Sequence, residues 1–198
     1  MKREQAIEII LDYIQKKDIV VATTGKTGRE LFELREKRKE SHAQDFLNIG
    51  AMGHTSMIAL GIAIAKPRRV VWCLDGDGAF LMHMGALAII GSHYQTPSVQ
   101  YKIRHIVLNN GCHDSVGGMP TAGFAIDIPA IARACGYQKA ERVTTEKELE
   151  QILKKYTRAE GPTLTEIRIK KGSRENLGRP TIAPQKAKEA FMRFLRSR

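Results

Sequence analysis

The sequence predicts an α/β fold: a parallel six-stranded sheet with helices on both faces. Three observations carry that expectation. Strand-like and helix-like segments alternate along the 198 residues, the pattern of repeated βα units. The strand candidates are continuous apolar runs, as strands covered on both faces require, not alternations of apolar and polar residues. Several of these runs end in a polar, glycine-bearing junction.

Taken in order, Ile7, Ile10, Leu11 and Ile14 recur at helical spacing and predict an opening helix. Residues 19–22 read as a short buried strand, ended by Thr23-Thr24-Gly25. A charged helix is expected over 28–39 and a second strand over 46–49, closed by Gly50. Residues 54–65 are apolar and long enough for a buried helix, which Pro67 ends. A third strand is expected at 70–74, one apolar helix at 79–91 and a fourth strand at 105–109. Asp127 caps a helix to about Cys135, with Pro129 in its first turn and Gly136 at its end. A strand at 138–143 precedes Thr145-Glu146-Lys147-Glu148, which fits a capping box for a helix to about Arg158. The last strand is expected at 163–169, and a final helix from Pro184. Residues 170–184 show no periodicity and read as an extended arm of one domain spanning 1–198.

Composition narrows the function classes. Hydrophobic residues make up 42% of the chain and charged residues 27%, the balance of a folded domain and not of a disordered one. No apolar run reaches the roughly 18 residues of a membrane span, and Met1-Lys2-Arg3-Glu4-Gln5 leads into an amphipathic helix, so neither membrane nor signal peptide is expected. Cys73, Cys112 and Cys135 are odd in number and form no CxxC, which points to a reducing cytoplasm. The net charge of +11 is spread over 35–39, 154–158, Arg168, Lys170, Lys171 and the tail to Arg198, with no interleaved aromatics. That pattern argues against nucleic acid and for an anionic substrate or an acidic partner.

Ligands of such sheets bind beyond the carboxyl ends of the strands. Four junctions fall there: 23–27, 50–53, 76–79 and 109–115. In Gly76-Asp77-Gly78 the glycines permit a tight turn and close approach of backbone to ligand. The following helix offers free N–H groups to an anion, with Ala79 among them. A carboxylate beside that anion repels it unless a cation lies between, and Mg²⁺ held by one or two protein oxygens is the usual solution. Asn110 supplies a neutral amide oxygen from the end of the next strand. The plain alternative is a turn in which Asp77 only caps the helix; the Asn109-Asn110 pair favours the metal.

Gly76-Asp77-Gly78 followed by Asn109-Asn110 resembles the cofactor motif of the thiamine-diphosphate-dependent 2-keto acid decarboxylases. The 30 intervening residues sit at the long end of that spacing, and a loop within 91–104, carrying Pro97, is the expected place for any excess. The resemblance implies thiamine diphosphate and Mg²⁺ as cofactors, with Asp77 and Asn110 ligating the metal by side chain and Cys112 by its backbone carbonyl. Gly50-Ala51-Met52-Gly53 is similar to the segment that grips the aminopyrimidine ring, which gives Gly50 a hydrogen bond to that ring and Met52 the role of a wedge that bends the cofactor. Core packing is the alternative for Met52. Thr24-Gly25 resembles a diphosphate-contacting turn; a nucleotide P-loop is ruled out because position 20 is Val where that motif needs Gly. The stretches 50–54, 81–85, 109–118 and 172–181 look most like the phosphonopyruvate decarboxylase branch, with the beta subunit of sulfopyruvate decarboxylase as a near relative. The activity implied is conversion of phosphonopyruvate to phosphonoacetaldehyde and CO₂. Candidates for the substrate's phosphonate are His113, Ser115, Lys26 and Arg29; the alternative for Lys26 and Arg29 is a solvated helix start.

The motifs all belong to the diphosphate half of such enzymes. With six strands assigned there is no room for a pyrimidine-binding domain, and no residue is assigned as the glutamate that domain supplies. The expected state is a hetero-oligomer with a pyrimidine-binding subunit. A fragment of a longer chain and a non-catalytic cofactor-binding relative are the alternatives; Met1 ahead of a complete helix favours the natural subunit. A regulatory or binding protein on the same scaffold is the competing class.

Overall fold

The structure, a computed structural model, describes residues 1–96 and 100–197. In chain order its elements are α1 Arg3–Leu11, β1 Ile19–Ala22, α2 Lys26–Lys37, β2 Asp45–Leu47, α3 Thr55–Ala65, β3 Val70–Gly76, α4 Asp77–Met82, α5 Ala86–Tyr94 and β4 Lys102–Asn109. There follow β5 Cys112–His113, β6 Met119–Pro120, a 3₁₀ turn Ala122–Phe124, α6 Ile128–Ala134, β7 Lys139–Val143, α7 Glu146–Tyr156, β8 Thr163–Arg168 and α8 Pro184–Arg196. Six strands form one sheet in the order β2-β1-β3-β4-β8-β7, and every pairing in it is parallel.

Alternate strand residues serve opposite faces, and both faces are apolar. Val20, Trp72, Leu74, Ile106 and Ile167 pack against Ile7 and Ile10 of α1, Leu31 and Leu34 of α2 and Leu149 and Leu153 of α7. Val21, Val71, Ile103, Val107 and Leu164 pack against Ala59 and Leu60 of α3, Leu87 and Ile90 of α5, Ile128 of α6 and Phe191 of α8. Each aliphatic side chain so buried contributes about 1.5–3 kcal/mol. The Trp72 indole also donates to Asp18 at 3.0 Å, which satisfies its one polar atom. The Thr145–Glu148 capping box and the Asp127 cap on Ala130 form as the residue types predict.

The structure differs from the sequence reading in particular places. The helix expected over 79–91 is two helices. His83 leaves helical geometry at the end of α4, and its Nδ1 lies 3.2 Å from the Gly53 carbonyl, so a long-range contact breaks the run. The helix expected from 28 begins two residues earlier, at Lys26, and Lys39 beyond its end has a positive φ of 54°. The strand expected over 46–49 covers 45–47. Asp45 is buried there by Arg35, whose Nε and Nη2 both donate at 2.9 Å, while Ile49 is 71% exposed. β3 and β4 are longer than expected: β3 runs on through buried Asp75, and β4 starts at Lys102 and takes in buried Arg104, polar residues that end an apolar reading. The expected loop is shortened by α5 and β4, and Pro97 lies outside the described residues. The short ribbon of β5 and β6 was not anticipated.

Residues 170–183 form neither helix nor strand. They run along α1 and α2: Lys170 N donates to the Met1 carbonyl, Gly178 N to Glu33, and Arg174 pairs with Glu4. Among the described residues no helix is long and apolar enough to cross a membrane.

Candidate cofactor site

The sheet order places the site. From β1 the chain moves outward to β2, then returns to the other side of β1 as β3, so the connections beyond β1 and β3 diverge and leave a crevice. Gly76 is in register with Leu108, and Asp77 after β3 and Asn110 after β4 leave the sheet from adjacent strands. A cleft of about 90 Å³ opens there, lined by Thr24, Lys26, Met52, Gly76, Asp77, Gly78, Ala79, Asn110, Cys112, His113 and Ser115 among others. Of the fourteen residues singled out from the sequence, eleven line this cleft and Gly25 touches its lining through Ser115.

The junctions interlock through glycines. Gly25 has φ +95°, and a Cβ there would lie 2.4 Å from the Ser115 hydroxyl oxygen. Lys26 N donates to that oxygen at 3.3 Å. A Cβ on Gly78 would lie 2.4 Å from His113 Nδ1, so the imidazole rests directly on the backbone of the Gly-Asp-Gly turn. Gly53 packs against the Ala79 carbonyl, which brings the Met52 segment to the rim. Arg29 and Gly50 stand apart. Arg29 is three residues beyond Lys26 along α2, about 4.5 Å further from the cleft at 1.5 Å per residue. Gly50 has φ +73° and would meet nothing within 4 Å.

Asp77 is 2% exposed. Its carboxylate accepts from the Thr121 hydroxyl, and Gly123 approaches it so closely that a Cβ there would lie 2.9 Å from Oδ2. Burial pushes the Asp77 carboxyl up, against the pull of Thr121 and of the backbone N–H groups of Asn110, Asp77 and Gly78. Among the described residues it has no salt-bridge partner. Asn109 is structural: its Nδ2 donates to the Gly123 carbonyl at 2.7 Å and to Glu166 at 2.8 Å. Asn110, by contrast, lines the cleft. Its Nδ2 donates to Asp114 at 2.6 Å and its Oδ1 accepts from Cys112 N at 3.1 Å. Burial first, then the Asp114 carboxylate, pushes the Cys112 thiol up to about 11, so it is no nucleophile near neutral pH.

Sequence reasoning did not single out Asp114, Thr121, Gly123 or Arg3. Arg3 and Thr121 act through partners distant along the chain, and Asp114 lay inside the 109–118 stretch without being singled out.

Residues 23–167 match the thiamine pyrophosphate enzyme, C-terminal TPP binding domain family. This chain belongs to that family. It is 39% identical over 193 residues to the phosphonopyruvate decarboxylase of Streptomyces viridochromogenes, covering 98% of this chain and 46% of that protein. It is 31% identical over 196 residues to sulfopyruvate decarboxylase subunit beta of Methanothermobacter thermautotrophicus, covering 99% of this chain and 95% of the subunit. A solved structure from Mycobacterium smegmatis, described as a thiamin diphosphate-dependent enzyme, superimposes with a TM-score of 0.64 at 26% identity, over 85% of this chain and 32% of that one. The chain thus spans about half the length of the phosphonopyruvate decarboxylases it matches and nearly all of the sulfopyruvate decarboxylase subunit. The family read from Gly76–Gly78 and Asn109-Asn110 is the family found, and the fold is the one expected of it.

Proposed function

We propose that this chain is the diphosphate-binding half of a thiamine-diphosphate-dependent decarboxylase that converts phosphonopyruvate to phosphonoacetaldehyde and CO₂. The observation that carries the proposal is the exit of Asp77 and Asn110 from adjacent strands into one cleft at the topological switch of the sheet. A buried carboxylate with an amide oxygen that keeps a second lone pair and a backbone carbonyl beside it is a set of hard oxygen donors, which suits Mg²⁺. Asp77, Asn110 and the Cys112 carbonyl would hold that ion. The Thr24-Gly25 turn and the backbone N–H groups of Gly78 and Ala79 would hold the diphosphate. When bound, thiamine diphosphate supplies the electron sink for loss of CO₂ from a 2-keto acid. The chain itself binds, orients and shields: Met52 stands at the rim for the cofactor's rings, and His113 and Lys26 face the cleft as donors for an anionic substrate.

The cleft supports the need for a partner. Exposed apolar side chains rim it, with Met52 at 46%, Met82 at 50% and Val116 at 53% exposure. Such a patch marks a surface made to be covered, here by the pyrimidine-binding domain or subunit. A specific observation keeps sulfopyruvate as the second substrate reading: the near end-to-end match to a sulfopyruvate decarboxylase subunit.

The experiment is turnover with phosphonopyruvate, sulfopyruvate and pyruvate, by the chain alone and with its co-expressed partner. The complex is expected to show the highest kcat/KM with phosphonopyruvate, and the chain alone no decarboxylation. Preference for sulfopyruvate would overturn the substrate; full turnover by the isolated chain would overturn the half-site.

A further inference from the structure

We propose that Asp114 is a positioning residue that sets which end of the Asn110 amide faces the cleft, and that Arg3 is buried to hold Asp114 in that task. The inference rests on the reading of Asn110 as a metal ligand.

The Asp114 carboxylate collects four donors from three separate parts of the chain. Oδ2 accepts from Arg3 Nη2 at 2.5 Å, from Asn110 Nδ2 at 2.6 Å and from Gly172 N at 3.0 Å, and Oδ1 from the Cys112 thiol at 3.0 Å. An ionised carboxylate only accepts hydrogen bonds. It therefore fixes the amide of Asn110 with its NH₂ turned toward Asp114 and its oxygen turned away. On the other side the same selection is made a second time, because Cys112 N can only donate, and it donates to Oδ1 at 3.1 Å. The flipped amide would set an oxygen against the carboxylate and an NH₂ against an N–H. It would also offer nitrogen, which carries no lone pair for a cation, where an oxygen ligand is needed. With one lone pair on Cys112, Oδ1 retains a second.

Arg3 shows that this arrangement is held at a cost. It is the first residue of α1, at the positive end of the helix dipole, where a cation is disfavoured. It is nonetheless only 4% exposed, bridging Asp114 and Glu30, the latter at 3.3 Å. A buried guanidinium is tolerated only when paired, and the pairing here fastens α1 and Gly172 to the loop that carries Asn110.

The test is calorimetric titration of thiamine diphosphate into the chain with its co-expressed partner, over a series of MgCl₂ concentrations. Wild type is compared with Asp114→Asn and Asp45→Asn. Asn at 114 keeps the size but removes the charge that pairs with Arg3, and its one oxygen, with two lone pairs, cannot accept from Arg3, Asn110 and Gly172 together. Asp45→Asn breaks another buried arginine pair, far from the cleft, and reports what loss of stability alone does. The expected result is a Mg²⁺ midpoint raised about 10- to 100-fold by Asp114→Asn, with Asp45→Asn lowering Tm but moving the midpoint less than about twofold. An unchanged midpoint in Asp114→Asn overturns the inference. Should that variant not fold, Arg3→Lys decides, with a rise of about 3- to 10-fold expected from loss of the fork geometry and no change overturning it. Binding that is Mg²⁺-independent already in wild type removes the metal reading of Asn110 and this inference with it.

Discussion

The two sides of the cleft differ in how finished they are. On the side of β3 and β4, Asp77 and Asn110 are 2% and 4% exposed, and every neighbour that fixes them belongs to this chain. On the side of residues 49–53, Ile49 is 71% and Met52 46% exposed, and Gly50 has open space where a side chain would be. The difference follows from chemistry. Burying a carboxylate is costly, so its hydrogen bonds must be complete within the fold. An apolar rim carries no such demand and can wait for a partner to cover it.

Asp77→Asn strikes the finished side hardest. It should weaken Mg²⁺-dependent thiamine diphosphate binding by more than about 100-fold, beyond the tenfold to hundredfold typical of an outer-shell partner. Calorimetry at fixed MgCl₂ reads the loss, and a change under tenfold would make the side less decisive than its burial implies.

The support behind that side carries its own pH dependence. Burial raises the Glu30 carboxyl to about 7, despite the opposing Arg3, from an ordinary value of 4.5. Below 4.5 Glu30 is protonated in both folded and unfolded chains, and stability is complete. Between 4.5 and about 7 the unfolded chain releases this proton first. Stability then falls as pH rises, by at most on the order of 3 kcal/mol. In Glu30→Gln, urea unfolding across pH 4.5 to 8 should lose that component of the slope. A slope identical to wild type would mean that Glu30 titrates normally.

Gly78→Ala probes the point where the finished side touches a substrate candidate. The new Cβ falls 2.4 Å from His113 Nδ1, so the ring must move. An overpacking cost of about 1–3 kcal/mol is expected, with kcat/KM of the complex falling more than the thermal stability explains. Unchanged kinetics would place His113 outside the reaction.

Met52→Ala should show the smallest effect on the chain itself, within about 0.5 kcal/mol for an exposed side chain. The complex should nonetheless lose partner or cofactor affinity. A large destabilisation of the isolated chain would mean that Met52 packs as core.

The sequence made the finished side legible because its signals are local. A glycine-flanked Asp after an apolar run and an Asn pair after the next need only strand, turn and helix grammar. The central strands β1, β3 and β4 could be read the same way, since a strand buried on both faces is a run of Val, Ile and Leu, whereas edge strand β7, Lys-Ala-Glu-Arg-Val, carries no such run. What could not be read depends on distant contacts. Arg3 meets Asp114 across 111 residues and Thr121 meets Asp77 across 44. The break between α4 and α5 comes from His83 reaching Gly53, against an apolar run that alone predicts one helix. Arg29, a candidate for the substrate's phosphonate, does not line the cleft.

The central claim is that Asp77 and Asn110 hold the metal and diphosphate of a cofactor completed by another domain. Calorimetry of thiamine diphosphate into the chain with its co-expressed partner, with MgCl₂ and with EDTA, tests it most directly. Binding should require Mg²⁺ and vanish in Asp77→Asn. Binding that survives EDTA, or that Asp77→Asn leaves intact, would contradict it.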